Sequence, residues 1–178
     1  ALPILYPSAN ILVAKENDFT PAARKMFCSK IATCDYDAVI ISYTQFAKIP
    51  ISESFQQKYI KKQLDELENL SDEAKRNHFG SNGAIRGLEA AKKRLEVQLT
   101  KLKDAEHKDN TIYFEQLGIT KLYVDEAHNF KNLFINTKMS NLAGLNTSSN
   151  SKRAFDMFLK CRYLDETNVH KSIVFLTG

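Results

Sequence analysis

The chain of 178 residues has little glycine, and what it has is not arranged to hold phosphates. Its six glycines stand at 80, 83, 87, 118, 144 and 178. None of them falls in the Gly-x-x-x-x-Gly-Lys-Ser/Thr pattern whose backbone amides cradle a triphosphate. The stretch GSNGAIRG reads instead as the start of a helix, with no lysine after a glycine. Cysteine is equally sparse. Cys28, Cys34 and Cys161 are odd in number and lack Cys-x-x-Cys spacing, which argues against a disulfide frame or zinc site and fits reduced, partly buried thiols. His78, His107 and His170 share no ligand-like spacing with one another or with the cysteines, so they read as solvated side chains. No serine or cysteine lies in a nucleophile-elbow sequence, and no Asn-Pro-Pro-Tyr motif of a methyltransferase occurs. No apolar run approaches membrane-spanning length, and the N-terminus lacks the basic, apolar, small-residue order of a secretory signal. These absences predict a cytoplasmic protein with no membrane partner. The chain opens on ALPILYP without Met and stops at IVFLTG as a strand finishes, which reads as an excerpt of a larger protein.

What is present is enough for a real core. A hydrophobic share of 43% over this length fits one domain with an appendage, and a net charge of +4 allows nucleic acid as a partner without demanding it. NILVA (10–14), YDAVIISY (36–43), KLYVDE (121–126) and KSIVFLTG (171–178) are short apolar runs of strand character. The second is β-branched and nearly all apolar, as a strand covered on both faces should be. Helical segments separate them: 20–31, with Thr20 as N-cap and Pro21 at the first position; roughly 111–117; and 151–165, with Phe155, Phe158, Leu159 and Leu164 on one side. This alternation predicts an α/β fold with a mostly parallel sheet.

Between Ser52 and Asn110 the character changes to high charge without strand signal. Ile60, Leu64 and Leu67 mark one helix, and Leu88, Ala91, Leu95, Gln98, Leu102 and Ala105 mark another. Spacings of three and four predict a coiled-coil seam, with SDEAKRNHFGSNG (71–83) as the turn. The reading is an antiparallel helical hairpin over 53–107, inserted into an α/β domain formed by 1–52 and 108–178; the alternative is a pair of ordinary covering helices. The basic stretch AKKRLEVQLTKLK within it can touch phosphates through its lysines and arginine, or it is the solvated outer face of the coil. AGLNTSSNSKR (143–153) reads as a flexible loop ending in a helix N-cap, able to order on DNA or on a second motor domain.

The chemistry concentrates in TKLYVDEAHNFKNL (120–133), where Asp125 and Glu126 follow an apolar strand and His128 comes two residues later. Adjacent carboxylates at a strand's C-terminal end aim into one crevice, where the first can orient Mg²⁺ and the second polarise a water. VDEAH resembles motif II of superfamily 2 DEAD/DEAH-type helicases and of their Swi/Snf-like translocase branch. IVFLTG resembles the strand that enters motif III. YDAVIISYTQFAKIP resembles the strand and loop that lie near the DNA track in those proteins. FEQLGITKLYVDEAHNFKNL and FLKCRYLDE, with IATCDYDAVIISYTQFAKIPIS, resemble the helicase part of large methylase-helicase proteins of mobile elements and phages.

That resemblance covers nearly the whole chain and implies a partial RecA-like motor domain of an ATP-dependent DNA helicase or translocase. By it, Asp125 serves Mg²⁺, mainly through water, Glu126 activates water, and His128 couples nucleotide state to movement. Ser42, Tyr43, Thr44 and Gln45, and Thr177 and Gly178 at the start of motif III, lie toward nucleic acid, while Lys131 and Asn132 support the closed state. ATP and Mg²⁺ would be cofactors of the complete motor only. The partners implied are DNA, a second RecA-like domain, and another copy of the chain through an exposed sheet edge at 172–176. Without a phosphate loop the carboxylates are half a site, so the chain alone is expected to be inactive. The competing reading is a non-catalytic DNA- or protein-interaction module built on a helicase fold.

Overall fold

The structure, a computed structural model, describes residues 5–76, 82–104, 112–131, 133, 151–168 and 171–177. The chain divides into two compact units, one of Ala1–Ser52, Asn110–Val124 and Lys160–Phe175, the other of Glu53–Asp109, Asp125–Leu159 and Leu176–Gly178.

In the first unit, β1 (Ile11–Val13) pairs in parallel with β2 (Ala38–Ile40), Ile11 opposite Ala38. The crossover between them carries a short 3₁₀ turn, Glu16–Phe19, and helix α1 (Pro21–Thr33). The helix starts where the sequence says it should. The Thr20 hydroxyl accepts the Ala23 amide at 3.3 Å and Pro21 needs no amide partner at the first position. Phe27, Cys28 and Ile31 face inward from it, with the Phe27 ring 5.1 Å from Phe19. At the foot of the strand pair the Asp37 carboxylate accepts the Asn10 amide at 2.7 Å.

Two features of that region differ from expectation. The run 36–43 does not stay extended to its end: Ser42 caps a one-turn helix, α2 (Tyr43–Phe46). Nor is β2 covered on both faces, since Ala38 and Ile40 are exposed. Burial on both faces needs a layer on each side of a sheet, and among the described residues this sheet has two strands. A second parallel pair, β3 (Leu122–Val124) with β4 (Ile173–Phe175), is a separate two-stranded sheet. The fold is thus α/β with parallel pairing, but as two small sheets. The segment predicted as a helix at 111–117 is a 3₁₀ turn, Phe114–Leu117, closed by Gly118 at φ 69°, a left-handed conformation that glycine adopts without strain.

A polar and aromatic node ties this unit together. Lys160 is fully buried, and its Nζ donates to the Phe46 carbonyl at 2.8 Å while lying 4.2 Å from the centroid of the Phe46 ring and 5.9 Å from that of Phe114. The Phe114 amide donates to the Pro50 carbonyl at 2.8 Å, the Ser52 amide to the Glu115 carboxylate at 2.9 Å, and the Tyr163 hydroxyl to the Glu115 carbonyl at 3.3 Å.

In the second unit α3 (Glu53–Arg76) and α4 (Asn82–Asp104) share an apolar seam. Its buried residues are Ile60, Leu67, Ala91 and Leu95, flanked by Leu64, Leu88, Leu99, Leu102 and Phe155. The three- and four-residue spacing read from the sequence is the seam's spacing. Two details change: α3 continues through Arg76, so the predicted turn over 71–83 begins too early, and Leu99 packs on the seam while Gln98 is only half-buried beside it. Ala105 and residues 143–150 lie outside the described residues, although Ser151 does cap the last helix, α5 (Lys152–Thr167), accepting the Ala154 amide at 3.4 Å. α5 buries Leu159 and Leu164 as the sequence suggests, and Ala154, Met157, Lys160 and Cys161 besides, while Phe155 and Phe158 are half-buried.

The cysteines are free, with Cys28 and Cys161 buried and Cys34 exposed. Burial raises the Cys28 thiol and pushes Cys161 from 9.0 up to about 11, the charge of Lys160 offsetting part of the effect. These thiols report on the first unit. At mildly alkaline pH a thiol reagent should modify Cys34 alone and rapidly, and Cys28 and Cys161 only on unfolding. Because the folded chain holds the Cys161 proton more tightly than the unfolded one, its contribution to stability is intact below 9.0 and is lost as pH rises toward about 11. If the seam on α3 and α4 is energetically separate from that unit, Leu95→Asp should lower the far-ultraviolet helical signal yet leave Cys28 and Cys161 protected. Simultaneous exposure of both thiols would mean that the two units melt as one.

Candidate nucleotide-hydrolysis site

β3 ends at the buried Val124, and the next two residues form a turn that leads into a 3₁₀ segment, Ala127–Phe130. In a continuing strand Asp125 and Glu126 would point to opposite faces. They do not continue the strand: Glu126 is left-handed, at φ 47° and ψ 47°, and both side chains are exposed to solvent. A non-glycine residue in this conformation is strained, at a cost of roughly 1–2 kcal/mol, so the surroundings must hold it there.

The hydrogen bonds show how. The Glu126 amide donates to Oδ1 of Asp125 at 2.9 Å, and the Glu126 carbonyl accepts both the Asn129 amide at 3.0 Å and the Asn129 side-chain Nδ2 at 3.1 Å. The Ala127 amide donates to the Leu176 carbonyl at 2.9 Å, fixing the turn to the segment that runs into Thr177. Asn129 was not among the residues singled out from the sequence. Its only signal is the ability of an asparagine a few residues past a turn to bond back to the main chain.

Of the residues read as the catalytic group, His128 and Glu126 meet directly, with His128 Nδ1 3.0 Å from Glu126 Oε2. The two side chains are 55% and 52% exposed, so the pair contributes little to stability. Oδ1 of Asp125 is engaged by the neighbouring amide, while Oδ2 has no protein partner among the described residues. A hard cation such as Mg²⁺ takes oxygen ligands and keeps several waters, and one exposed carboxylate oxygen suits that mode. The donor set therefore fits the ion, though among the described residues no group of histidine, cysteine and carboxylate ligands closes around a metal. Thr177 and Lys131 are exposed; Asn132 and Gly178 lie outside the described residues.

The residues read as lying toward nucleic acid, Ser42 to Gln45, form the cap of α2. Ser42 and Gln45 make a reciprocal capping box, with the Ser42 amide on Gln45 Oε1 at 3.0 Å and the Gln45 amide on Ser42 Oγ at 3.4 Å. Gln45 is buried, and its Nε2 donates to the Lys15 carbonyl at 2.9 Å. Its amide is used within the fold, so the side chains of this segment that reach solvent are those of Ser42 and Thr44, with Tyr43 half-buried.

Comparison with known proteins adds the following. The family described as "Probable helicase domain" matches residues 2–178. Over 147 residues the chain is 30% identical to "Defense against restriction protein B" of Escherichia phage P1; the match covers 81% of the chain and 6% of that protein. No solved structure matches.

The strained turn makes a prediction of its own. Glu126→Gly and Glu126→Ala both remove the carboxylate, but only glycine is at ease at φ 47°. In thermal or denaturant unfolding, the glycine variant should be more stable than the alanine variant by about 1 kcal/mol. Equal stability would show that the left-handed turn is not enforced in solution.

Proposed function

Because the chain belongs to the probable helicase domain family, we propose that it is the carboxylate half of an ATP-hydrolysing motor site that drives a protein along DNA. The observation that carries this reading is the left-handed turn at the end of a parallel strand, where the consecutive residues Asp125 and Glu126 are both exposed and His128 Nδ1 lies against Glu126. The C-terminal ends of parallel strands are where α/β folds place their chemistry.

Each residue has a role in the reading. The Glu126 carboxylate accepts the proton of a water as the water oxygen attacks the terminal phosphorus of ATP. The bond from that phosphorus to the bridging oxygen breaks, and ADP leaves. His128 is a positioning residue: its ring nitrogen, 3.0 Å from Oε2, holds the carboxylate in one rotamer. Asp125 would hold Mg²⁺, mainly through water, and the ion when bound neutralises charge developing on the phosphate oxygens. The grip on the triphosphate must come from another polypeptide segment, because no sequence in the chain provides the glycine-rich amides and lysine.

The finer placement rests on the sequence likeness. Motif II followed by Lys131 and Asn132 supports the Swi/Snf-like branch of superfamily 2, with a RecA-like frame and a second such domain as partner. The phage relative supports a mobile-element setting, its name describing a protein of defence against restriction. The chain spans 6% of that relative's length. A second reading, a non-catalytic module that binds DNA or protein, is favoured by the same missing phosphate loop.

The test uses a polypeptide that carries this chain together with a Gly-Lys-Ser/Thr loop. Glu126→Gln should retain ATP binding and slow DNA-stimulated phosphate release by roughly two or more orders of magnitude, and Asp125→Ala should in addition weaken the Mg²⁺ dependence. The chain by itself should release no phosphate. Unchanged turnover in Glu126→Gln would overturn the assignment in favour of the binding module, and robust turnover by the isolated chain would overturn the half-site.

A further inference from the structure

The second unit has an open groove of about 450 Å³ bounded by α3, α4 and the first turns of α5. Arg94 and Lys101 from α4 and Lys152 from α5 line it, against a single carboxylate, Asp156. Beside it a smaller hollow shares Arg94 and Val97 and adds Lys93. The four cations are exposed, and none of their side chains makes an ion pair or hydrogen bond with another described residue. Lys92, one residue away and on another face of α4, is different: its Nζ lies 2.6 Å from the Glu68 carboxylate. Among the described residues, α4 therefore carries Lys92, neutralised within the fold, beside Lys93, Arg94 and Lys101, which are not.

Placement makes the row more than a solvated face. Arg94 and Lys101 are seven residues apart, about 10 Å along the helix, far enough to reach different phosphates of one strand. Lys152 is the first residue of α5, where a positive side chain adds to the positive end of the helix dipole. This is an unfavourable location for a cation and a favourable one for an anion. Apolar side chains line the groove as well: Val97, 48% exposed, the half-buried Phe155 and the buried Leu159. Phosphates on cations with base faces against apolar side chains is the arrangement that suits a single strand, whose bases are not hidden in a stack; a duplex presents only its backbone.

We propose that this groove and the hollow beside it bind single-stranded nucleic acid, with Arg94, Lys101 and Lys152 of the groove and Lys93 of the hollow on phosphates of one strand and Val97 and Phe155 against the bases. The site deepens the motor reading by giving the track a location apart from the carboxylate turn. It does not rest on Glu126 hydrolysing anything, so its failure and that of the hydrolysis reading come from different measurements.

The experiment is fluorescence anisotropy of the 178-residue chain with a labelled oligo(dT) and with a duplex of the same length, titrated between about 50 mM and 200 mM salt. Four neutralised phosphates on a single strand should give a log–log salt slope of about −2.8, at about 0.7 per phosphate. Arg94→Gln combined with Lys101→Gln and Lys152→Gln should weaken oligo(dT) binding at least about tenfold at low salt and flatten the slope by about 2. Lys92→Gln, in which the charge lost is already paired, should leave both unchanged. The single substitutions, each kept helical by circular dichroism, should flatten the slope by about 0.7 apiece, which covers the case of a triple variant that does not fold. The proposal is overturned by failure of the chain to bind oligo(dT) at low salt, by a triple variant with unaltered affinity and slope, or by Lys92→Gln losing as much as Arg94→Gln. Tighter binding to duplex than to oligo(dT), or to phosphatidylserine vesicles in place of either, likewise overturns the single-strand occupant.

Discussion

A buried ammonium organises the first unit. An unpaired charge in an apolar interior is too costly to tolerate, so wherever Lys160 is buried its donors must be met, and the partners that meet them are fixed in place. The Phe46 carbonyl takes one proton and the faces of Phe46 and Phe114 take part of the charge. Those partners are themselves fixed, Phe114 by its amide on the Pro50 carbonyl and the next residue, Glu115, by the Ser52 amide and the Tyr163 hydroxyl. The segment after α2, the 3₁₀ turn before β3 and the second half of α5 are therefore held at one point. β3 follows eight residues after Phe114, with Gly118 as the reversal between them. The strand that delivers Asp125 and Glu126 starts from an anchored base.

The sequence tells unevenly about this arrangement, and the reasons are physical. Helix starts were legible because they depend on local chemistry: Thr20 before Pro21 needs no tertiary partner to be recognised, and the polar run before α5 pointed to a cap that proves to be Ser151. The seam of α3 and α4 was legible because its period repeats over many turns. Strand lengths were not. An apolar run records what is able to pair, whereas the ladder ends where its partner ends, and each strand here has one partner of three residues. The Ser42-x-x-Gln45 spacing is a capping-box signal within the chain, and reading YDAVIISY as one strand passed over it. Lys160 carried no signal at all, since a lysine beside Phe158 and Leu159 looks the same whether it reaches solvent or turns inward.

The carboxylate turn divides in the same way. The pair Asp125 and Glu126 and the histidine after it stood out as residue types at a strand end, and their contact at 3.0 Å follows from a spacing of two across a tight turn. What could not be read was the left-handed backbone at Glu126, because no glycine or asparagine marks it. It is imposed from outside by the Leu176 carbonyl on the Ala127 amide and by Asn129 on the Glu126 carbonyl. Strain held by several independent bonds at one position is a familiar property of functional sites. Here it coincides with the residue that the chemistry singles out on separate grounds.

Exposure then says what this turn lacks. At about 4 Å two unit charges interact by about 1 kcal/mol in water and by about 4 kcal/mol at an effective dielectric of 20, so carboxylates open to solvent exert only a fraction of the field they would exert in a closed site. Asp125 and Glu126 are open to solvent. The backbone that carries them is set in advance, but their electrostatic strength is not; on the proposed reading it would rise only when a triphosphate and surrounding protein displace the water. On the proposed motor reading, this deferral keeps hydrolysis from running without closure, which would uncouple it from movement. The unpaired cations along α4 obey the opposite logic. Attraction to a polyanion works at long range and through solvent, by release of counterions, and needs no enclosure. The open carboxylates suit a step that waits for closure, and the open groove suits a contact that is made first.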